Sequence, residues 1–161
     1  MKRLGFAVVM LCAVSAWAEP KPYTSAALGF TATFPFEVKE QADPAGGGTA
    51  AAFDPQGVMY MVGVSPTPAD QVKGRSVKEQ LDDGLAGMVA KVNGKLVSQK
   101  DVKLGKYPGR EAEIEVNGGK ATFRAYLVGA TSYLLGVVHK DGVTPPVTAA
   151  EFFKSFKLNK K

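Results

Sequence analysis

The sequence predicts an α+β fold: one mainly antiparallel β-sheet flanked by helices. Three observations carry this expectation. Seven stretches alternate or run apolar at strand length; two Ser/Thr-x-x-Glu boxes each open a helically spaced apolar run; and Pro/Gly and Asn/Gly turn signals join neighbouring strands as hairpins.

The first strand is expected over Leu28–Phe34, where Leu28, Phe30, Ala32 and Phe34 share one face and Thr31 and Thr33 the other, with Pro35 as its stop. Ala42–Gly48 reads as a Gly/Pro-rich loop. Thr49–Phe53 and Val58–Ser65 form a strand pair across Asp54-Pro55-Gln56-Gly57. Ser76-Val77-Lys78-Glu79 is a capping box, because the Ser hydroxyl and the Glu carboxylate each satisfy an amide left unpaired in the first turn. Val77, Leu81, Leu85, Met88, Val89 and Val92 follow at helical spacing until Asn93-Gly94 ends the helix. Gly84 and Gly87 each cost such a helix about 1 kcal/mol against Ala. Close approach to a sheet is the use expected of them.

Lys95–Leu104, Arg110–Val116, Lys120–Val128 and Ser132–His139 are the remaining long strands, the middle two joined at Asn117-Gly118-Gly119. Thr148-x-x-Glu151 caps a short helix carrying Phe152, Phe153 and Phe156, and Leu158 closes the chain in a last strand. Internal repeats and low-complexity segments are absent from the sequence.

The amino terminus is expected to be removed. Lys2 and Arg3 precede an apolar run, Leu4–Val14, and Ser15-Ala16-Trp17-Ala18 gives the small-x-small pattern of a signal peptidase site, with cleavage after Ala18. The run is shorter than the roughly 18–20 residues of a spanning helix, so no integral membrane span is expected. A lipid-modified Cys12 is the alternative, disfavoured because Leu11 precedes it and the apolar run continues beyond. The domain reading is therefore residues 1–18 as signal peptide, 19–27 as a flexible lead-in and 28–161 as a single globular domain, exported to a periplasm or the extracellular space.

Cleavage would leave 143 residues without a cysteine, and 18 basic residues (20 less Lys2 and Arg3) against 15 acidic ones, a net +3. Disulfides and thiol catalysis are thereby excluded from the exported chain, and stability falls to an apolar core. One His and no Cys rule out sites built from several soft ligands, so neither metal nor cofactor is expected. A charge of +3 is too mild to argue for nucleic acid.

Catalytic signatures are equally sparse. The chain holds no Gly-x-Ser-x-Gly elbow, phosphate loop or zinc-protease helix. His139, at a strand end, is the one imidazole a hydrolase would have to use; a solvated or turn-capping role is the plainer reading. Gly46-Gly47-Gly48-Thr49 has no strand before it and no helix after it to converge amides on an anion, and reads as a flexible turn.

Tyr107-Pro108-Gly109-Arg110-Glu111 is the most informative segment. Pro-Gly suits a type II turn, with Gly at the position of positive φ. The strand after it puts Glu111, Glu113 and Glu115 on one face, facing Lys120 and Arg124 across the hairpin as exposed cross-strand pairs. Arg110 falls instead on the apolar face and needs a partner: a buried ion pair or hydrogen bonds to loop carbonyls on the structural reading, a ligand carboxylate or a partner contact on the functional one. Tyr107, Gly109, Arg110, Arg124 and Tyr126 are accordingly the candidate binding residues. Lys154, Lys157, Lys160 and Lys161 make a basic carboxyl end, a solvated tail with scope for weak contact with an acidic membrane surface or protein.

Together, Tyr23–Pro35 with Leu28-Gly29-Phe30 and Phe34-Pro35, Tyr107-Pro108-Gly109-Arg110-Glu111, Tyr126-Leu127-Val128-Gly129 and Phe152-Phe153-Lys154-Ser155-Phe156 resemble exported bacterial proteins of the Mog1/PsbP-like fold group. The resemblance runs through nearly all of the chain after residue 18. It implies an α/β/α sandwich around an antiparallel sheet and an accessory or assembly role, as in the photosystem II extrinsic subunit and a nuclear transport regulator. No metal or cofactor motif of the photosystem subunit is matched. The expected function is thus that of an exported, non-enzymatic binding or assembly factor whose partner is another envelope protein. A small-ligand or anion module centred on Arg110 is the alternative, and a hydrolase using His139 the third reading.

Overall fold

The computed structural model describes residues 19–68, 70 and 73–159. The expected cleavage site at Ala18, and Lys160 and Lys161, lie outside these residues. Within them run β1 (Lys21–Ser25), β2 (Phe30–Phe34), β3 (Val38–Ala42), β4 (Gly48–Asp54), β5 (Val58–Pro66), α1 (Val77–Lys91), β6 (Lys95–Leu104), β7 (Tyr107–Val116), β8 (Gly119–Val128), β9 (Thr131–Lys140), α2 (Ala149–Ser155) and β10 (Lys157–Leu158).

All strand pairs are antiparallel, as the alternation predicted. Seven strands form the main sheet in the order β3-β4-β5-β9-β8-β7-β6, and three form a small sheet, β1-β2-β10. Two meanders, β3–β5 and β6–β9, meet where β5 pairs with β9. The chain between them carries α1 across to the far edge strand β6.

The two faces of the main sheet are covered differently. On one face, Phe30, Ala32 and Phe34 of the small sheet and Phe152, Phe153 and Phe156 of the α2 segment bury Ala50, Ala52, Tyr60, Val62, Leu135 and Val137. Aromatic rings dominate this core: Phe34 and Tyr60 each meet Phe152 edge to face, with centroids 5.1 and 5.3 Å apart, the offset geometry their quadrupoles prefer. On the other face, Leu81 and Leu85 of α1 pack on Ala112, Ile114, Ala121, Phe123, Ala125 and Leu127 of β7 and β8. Helices and sheet thus make the α+β architecture that the sequence predicted.

Both capping boxes form. Ser76 Oγ accepts from the Glu79 amide (3.2 Å) while Glu79 Oε2 accepts from the Ser76 amide (2.7 Å), and Thr148 and Glu151 repeat the exchange. Asn93, at φ 48°, turns the chain out of the helix where Asn93-Gly94 was expected to end it.

Several local expectations are corrected. Lys21–Ser25, read as flexible, is an edge strand on β2, with Tyr23 edge-on to Phe34 at 5.9 Å. Pro20 and Pro22 obscured it, but an edge strand tolerates proline because its outer amides have no partner. Leu28 lies in the turn before β2 rather than in a strand, and its amide donates to Ser25 Oγ. β3, Val-Lys-Glu-Gln-Ala, went unread because an exposed edge strand shows no apolar alternation. Gly84 and Gly87 do not let α1 approach the sheet: a Cβ at either position would meet nothing within 4 Å.

Candidate functional site

The residues singled out by sequence gather around β6, β7 and β8 but do not form one site. Antiparallel register pairs Gly109 with Tyr126, Arg110 with Ala125 and Glu111 with Arg124. Successive residues of a strand alternate faces, so Arg110 is on the α1 side with Ala125, while Tyr107, Gly109, Glu111, Arg124 and Tyr126 are on the α2 side.

Arg110 is held by two carboxylates. Its Nη2 donates to Asp82 Oδ2 (3.1 Å) and its Nη1 lies 2.6 Å from Asp101 Oδ1. Nε sits 2.7 Å from Asp82 Oδ1, yet its N–H points off that line, making an ion-pair contact rather than an aligned hydrogen bond. Asp82 also accepts from Gln99 Nε2 at 2.9 Å. The Arg110 hydrogen bond holds the Asp82 carboxyl below its ordinary pKa. This cluster ties α1 to β6 and β7. A ligand carboxylate would have to displace Asp82 or Asp101 to reach the Arg110 side chain, which is 12% exposed.

The second cluster sits on the opposite face. Arg124 Nε donates to Glu111 Oε2 (2.7 Å), its Nη2 contacts the same oxygen, and its Nη1 donates to Tyr126 Oη (3.3 Å). The guanidinium carbon is 4.7 Å from the centroid of the Phe153 ring, a cation–π contact with the α2 helix. Lys100 Nζ completes the set, 2.7 Å from Glu111 Oε1. Burial pushes the Glu111 carboxyl up, but hydrogen bonds from Lys100 and Arg124 outweigh it and keep the pKa below the usual range. The expectation that Glu111, Glu113 and Glu115 face Lys120 and Arg124 as exposed pairs is corrected here at Glu111 and Arg124: the acidic and basic faces do meet, but Glu111 is 8% exposed and Arg124 19%, because Phe153 and the Lys100 stem cover them.

Tyr107 and Gly109 are not in a turn. β7 begins at Tyr107, and the reversal occurs at Gly105-Lys106, with Gly105 at φ 58°. Gly109 is required for a different reason: a Cβ there would lie 2.5 Å from the Tyr126 ring and 2.5 Å from the Ala125 carbonyl. Tyr107 instead borders an open groove of about 600 Å³ at the end of the sheet, with Leu28, Val128, Tyr133 and Asn159.

The weaker candidates resolve simply. His139 is half-exposed, and its described hydrogen bond joins Nδ1 to the carbonyl of Lys140 at 3.1 Å. In the Gly46–Gly48 loop the amides of Ala45 and Gly47 donate to Asp43 Oδ1 (2.8 and 3.2 Å), so the chain's own carboxylate takes the place an anion would need. Lys154 and Lys157 are exposed.

Sequence reasoning missed an apolar groove of about 420 Å³ between α1 and the sheet, lined by Met59, Met61, Met88, Val92, Phe123 and Val138 with Lys91. The signal was present: Val58–Val64 is apolar on both faces, the pattern of a strand with cover on each side.

The architecture has solved counterparts. Over 91% of this chain and 96% of the other it superposes on the solution structure of cyanobacterial PsbP (CyanoP) from Synechocystis sp. PCC 6803, with a TM-score of 0.63 and 11% identity. The fold is PsbP-like. A Bacteroides thetaiotaomicron VPI-5482 protein, solved in the crystal at 1.50 Å, is similar over 88% of this chain, with a TM-score of 0.50 and 14% identity; the match spans 49% of that protein. The sequence matches no protein-family model and no curated protein. No helix among the described residues is long and apolar enough to cross a membrane.

Proposed function

We propose that this PsbP-like chain is an exported, non-enzymatic binding or assembly factor acting on a protein partner of the cell envelope. The observation that supports the reading best is where the buried charges go. Arg110 is neutralised by Asp82 and Asp101, and Arg124 by Glu111, so these two buried guanidinium groups are engaged in holding α1 and α2 on the sheet. What the fold leaves open is surface suited to contact: the apolar groove beside α1 and exposed Phe53 next to it. The accessory roles implied by the resemblance fit this arrangement, and the amino-terminal pattern supports export.

The test is photo-crosslinking in the exporting cell. A crosslinking residue is placed at Phe53, at Val97 on the β6 edge, or at Lys154 on α2. A protein adduct of discrete mass from one of these surfaces is expected. Absence of an adduct from all three, with a metabolite that raises the melting temperature, would replace the protein partner by a small ligand.

A further inference from the structure

Among the described residues, the main sheet is wider than its helical cover on the α1 side. Seven strands about 4.8 Å apart span roughly 30 Å, whereas one helix is about 10 Å across. α1 packs on β7 and β8, and the same face of β9, β5 and β4 continues past it. Register places Leu134, Gly136 and Val138, then Met59, Met61 and Gly63, then Ala51 and Phe53 side by side on that face. Phe53 is 57% exposed. The sequence holds five methionines, two of them within residues 1–18, and the other three, Met59, Met61 and Met88, all line the groove between α1 and this face.

We propose that the groove seats an amphipathic helix of the partner, its apolar stripe on the three methionines and an acidic flank along Lys39, Lys91 and Lys140. The inference rests on reading the chain as a binding factor and names the surface and the chemistry of the partner. Three arguments carry it. The first is shape: the groove has a helix for one wall and a flat sheet for its floor, and the strands that no described residue covers leave the width of a second helix packed alongside α1. The second is composition: unbranched, polarisable methionine side chains adapt to the ridges of a docking helix, which is why they recur where amphipathic helices are bound. The third is charge. Lys91 lines the groove, and no acidic residue does. Lys39 shares the face through its pairing with Ala51, and Lys140 through its position two residues beyond Val138. A cationic rim selects an acidic flank and repels a basic one.

The experiment is a titration followed through the methyl carbons of Met59, Met61 and Met88, assigned by single Met→Leu variants. Three probes are used: a synthetic 18-residue amphipathic helix with Leu and Met in its apolar stripe and Glu on its flanks, the same helix with Lys on its flanks, and phosphatidylglycerol vesicles. The Glu-flanked helix is expected to shift all three methyl signals saturably. Lys39→Glu/Lys91→Glu/Lys140→Glu is expected to weaken that binding at least about tenfold and to admit the Lys-flanked helix. Met88→Glu, at a half-buried position on the rim, is expected to abolish it while keeping a cooperative melt. Methyl shifts caused by vesicles and not by the Glu-flanked helix would overturn the inference in favour of a membrane surface. Silence of the methionines toward every probe, with a protein adduct still formed at Phe53, would overturn the helix and leave the binding factor standing; silence with no adduct from any surface would remove both.

Discussion

Glu111→Gln tests whether the Arg124 cluster is a buried ion pair or a surface ornament. Gln preserves the shape of the side chain and removes its charge. Arg124 would then keep its contacts with Tyr126 and Phe153 but lose the carboxylate that Nε and Nη2 share. Removing one partner of a fully buried pair costs about 3–5 kcal/mol, because the other charge is left without compensation. Arg124 is 19% exposed, so some of that charge reaches water. Discounted for this, the expected cost is about 2–3 kcal/mol. For a domain of this size it corresponds to a melting temperature lower by about 6–10 °C. Urea denaturation at neutral pH measures the cost directly. The double variant Glu111→Gln/Arg124→Met should recover part of it, since neither charge is then stranded.

Acid supplies an independent check. The folded-state pKa of Glu111 lies below its ordinary value. Its contribution to stability is therefore complete above the unfolded carboxylate pKa and disappears as pH falls through the lower folded one. The stability difference between the parent protein and Glu111→Gln should shrink over that acidic window and stay flat at higher pH. A cost below about 1 kcal/mol, the scale of solvated pairs, would refute the argument, as would a difference that does not change with acid.

Gly109→Ala drives a methyl into the Tyr126 ring and the Ala125 carbonyl, and a loss of about 1–3 kcal/mol by chemical denaturation is expected. Gly87→Ala adds helix propensity where a Cβ has open space, and should raise stability by up to about 1 kcal/mol in the same assay. Tyr60 Oη donates to the Val147 carbonyl (2.5 Å) and accepts from its amide (3.1 Å), so Tyr60→Phe should cost about 1–2 kcal/mol by leaving both backbone groups without a partner. Burial raises the pKa of Tyr23 and of Tyr60 to about 12. Burial pushes Tyr133 up as well, so ultraviolet titration should show at least two tyrosines ionising well above the ordinary value of 10, and stability falling as pH rises from there, since the unfolded chain releases those protons first.

Most of the framework was legible because it depends on local chemistry. Ser76 with Glu79 and Thr148 with Glu151 fix helix starts within four residues. Asn117-Gly118-Gly119 marks a hairpin whose two possible two-residue loops both set the acidic face of β7 beside the basic face of β8; the structure takes Asn117-Gly118, which pairs Glu111 with Arg124. What sequence could not supply was the third dimension. Alternation placed Glu111 on the charged face, but only the return of α2 from 40 residues away puts Phe153 over that face and buries it. Strand alternation shows that Arg110 needs a partner without saying whether it is a carboxylate or a loop carbonyl; that Asp82 provides it follows from how α1 lies across the sheet, which no spacing encodes. β1 and β3 escaped for a simpler reason: edge strands have one neighbour and little to bury, so their sequences are free of the pattern that betrays a strand.

Arg110 and Arg124 therefore stand in the same relation to the two helices, one through each face of β7 and β8. Arg110 fastens α1 through Asp82, and Arg124 meets α2 through Phe153. This bears on how any loss of binding is interpreted. α1 forms one wall of the methionine groove through Met88, Lys91 and Val92, so Arg110→Ala would loosen that wall and weaken a partner docked there without Arg110 touching it. Arg110→Lys, which keeps the charge but not the two-pronged hold on Asp82, separates the possibilities. A direct contact by charge would survive the exchange in large part. A positioning role would lose binding with both variants, together with a lowered melting temperature, and Lys91→Glu would lose binding at an unchanged one.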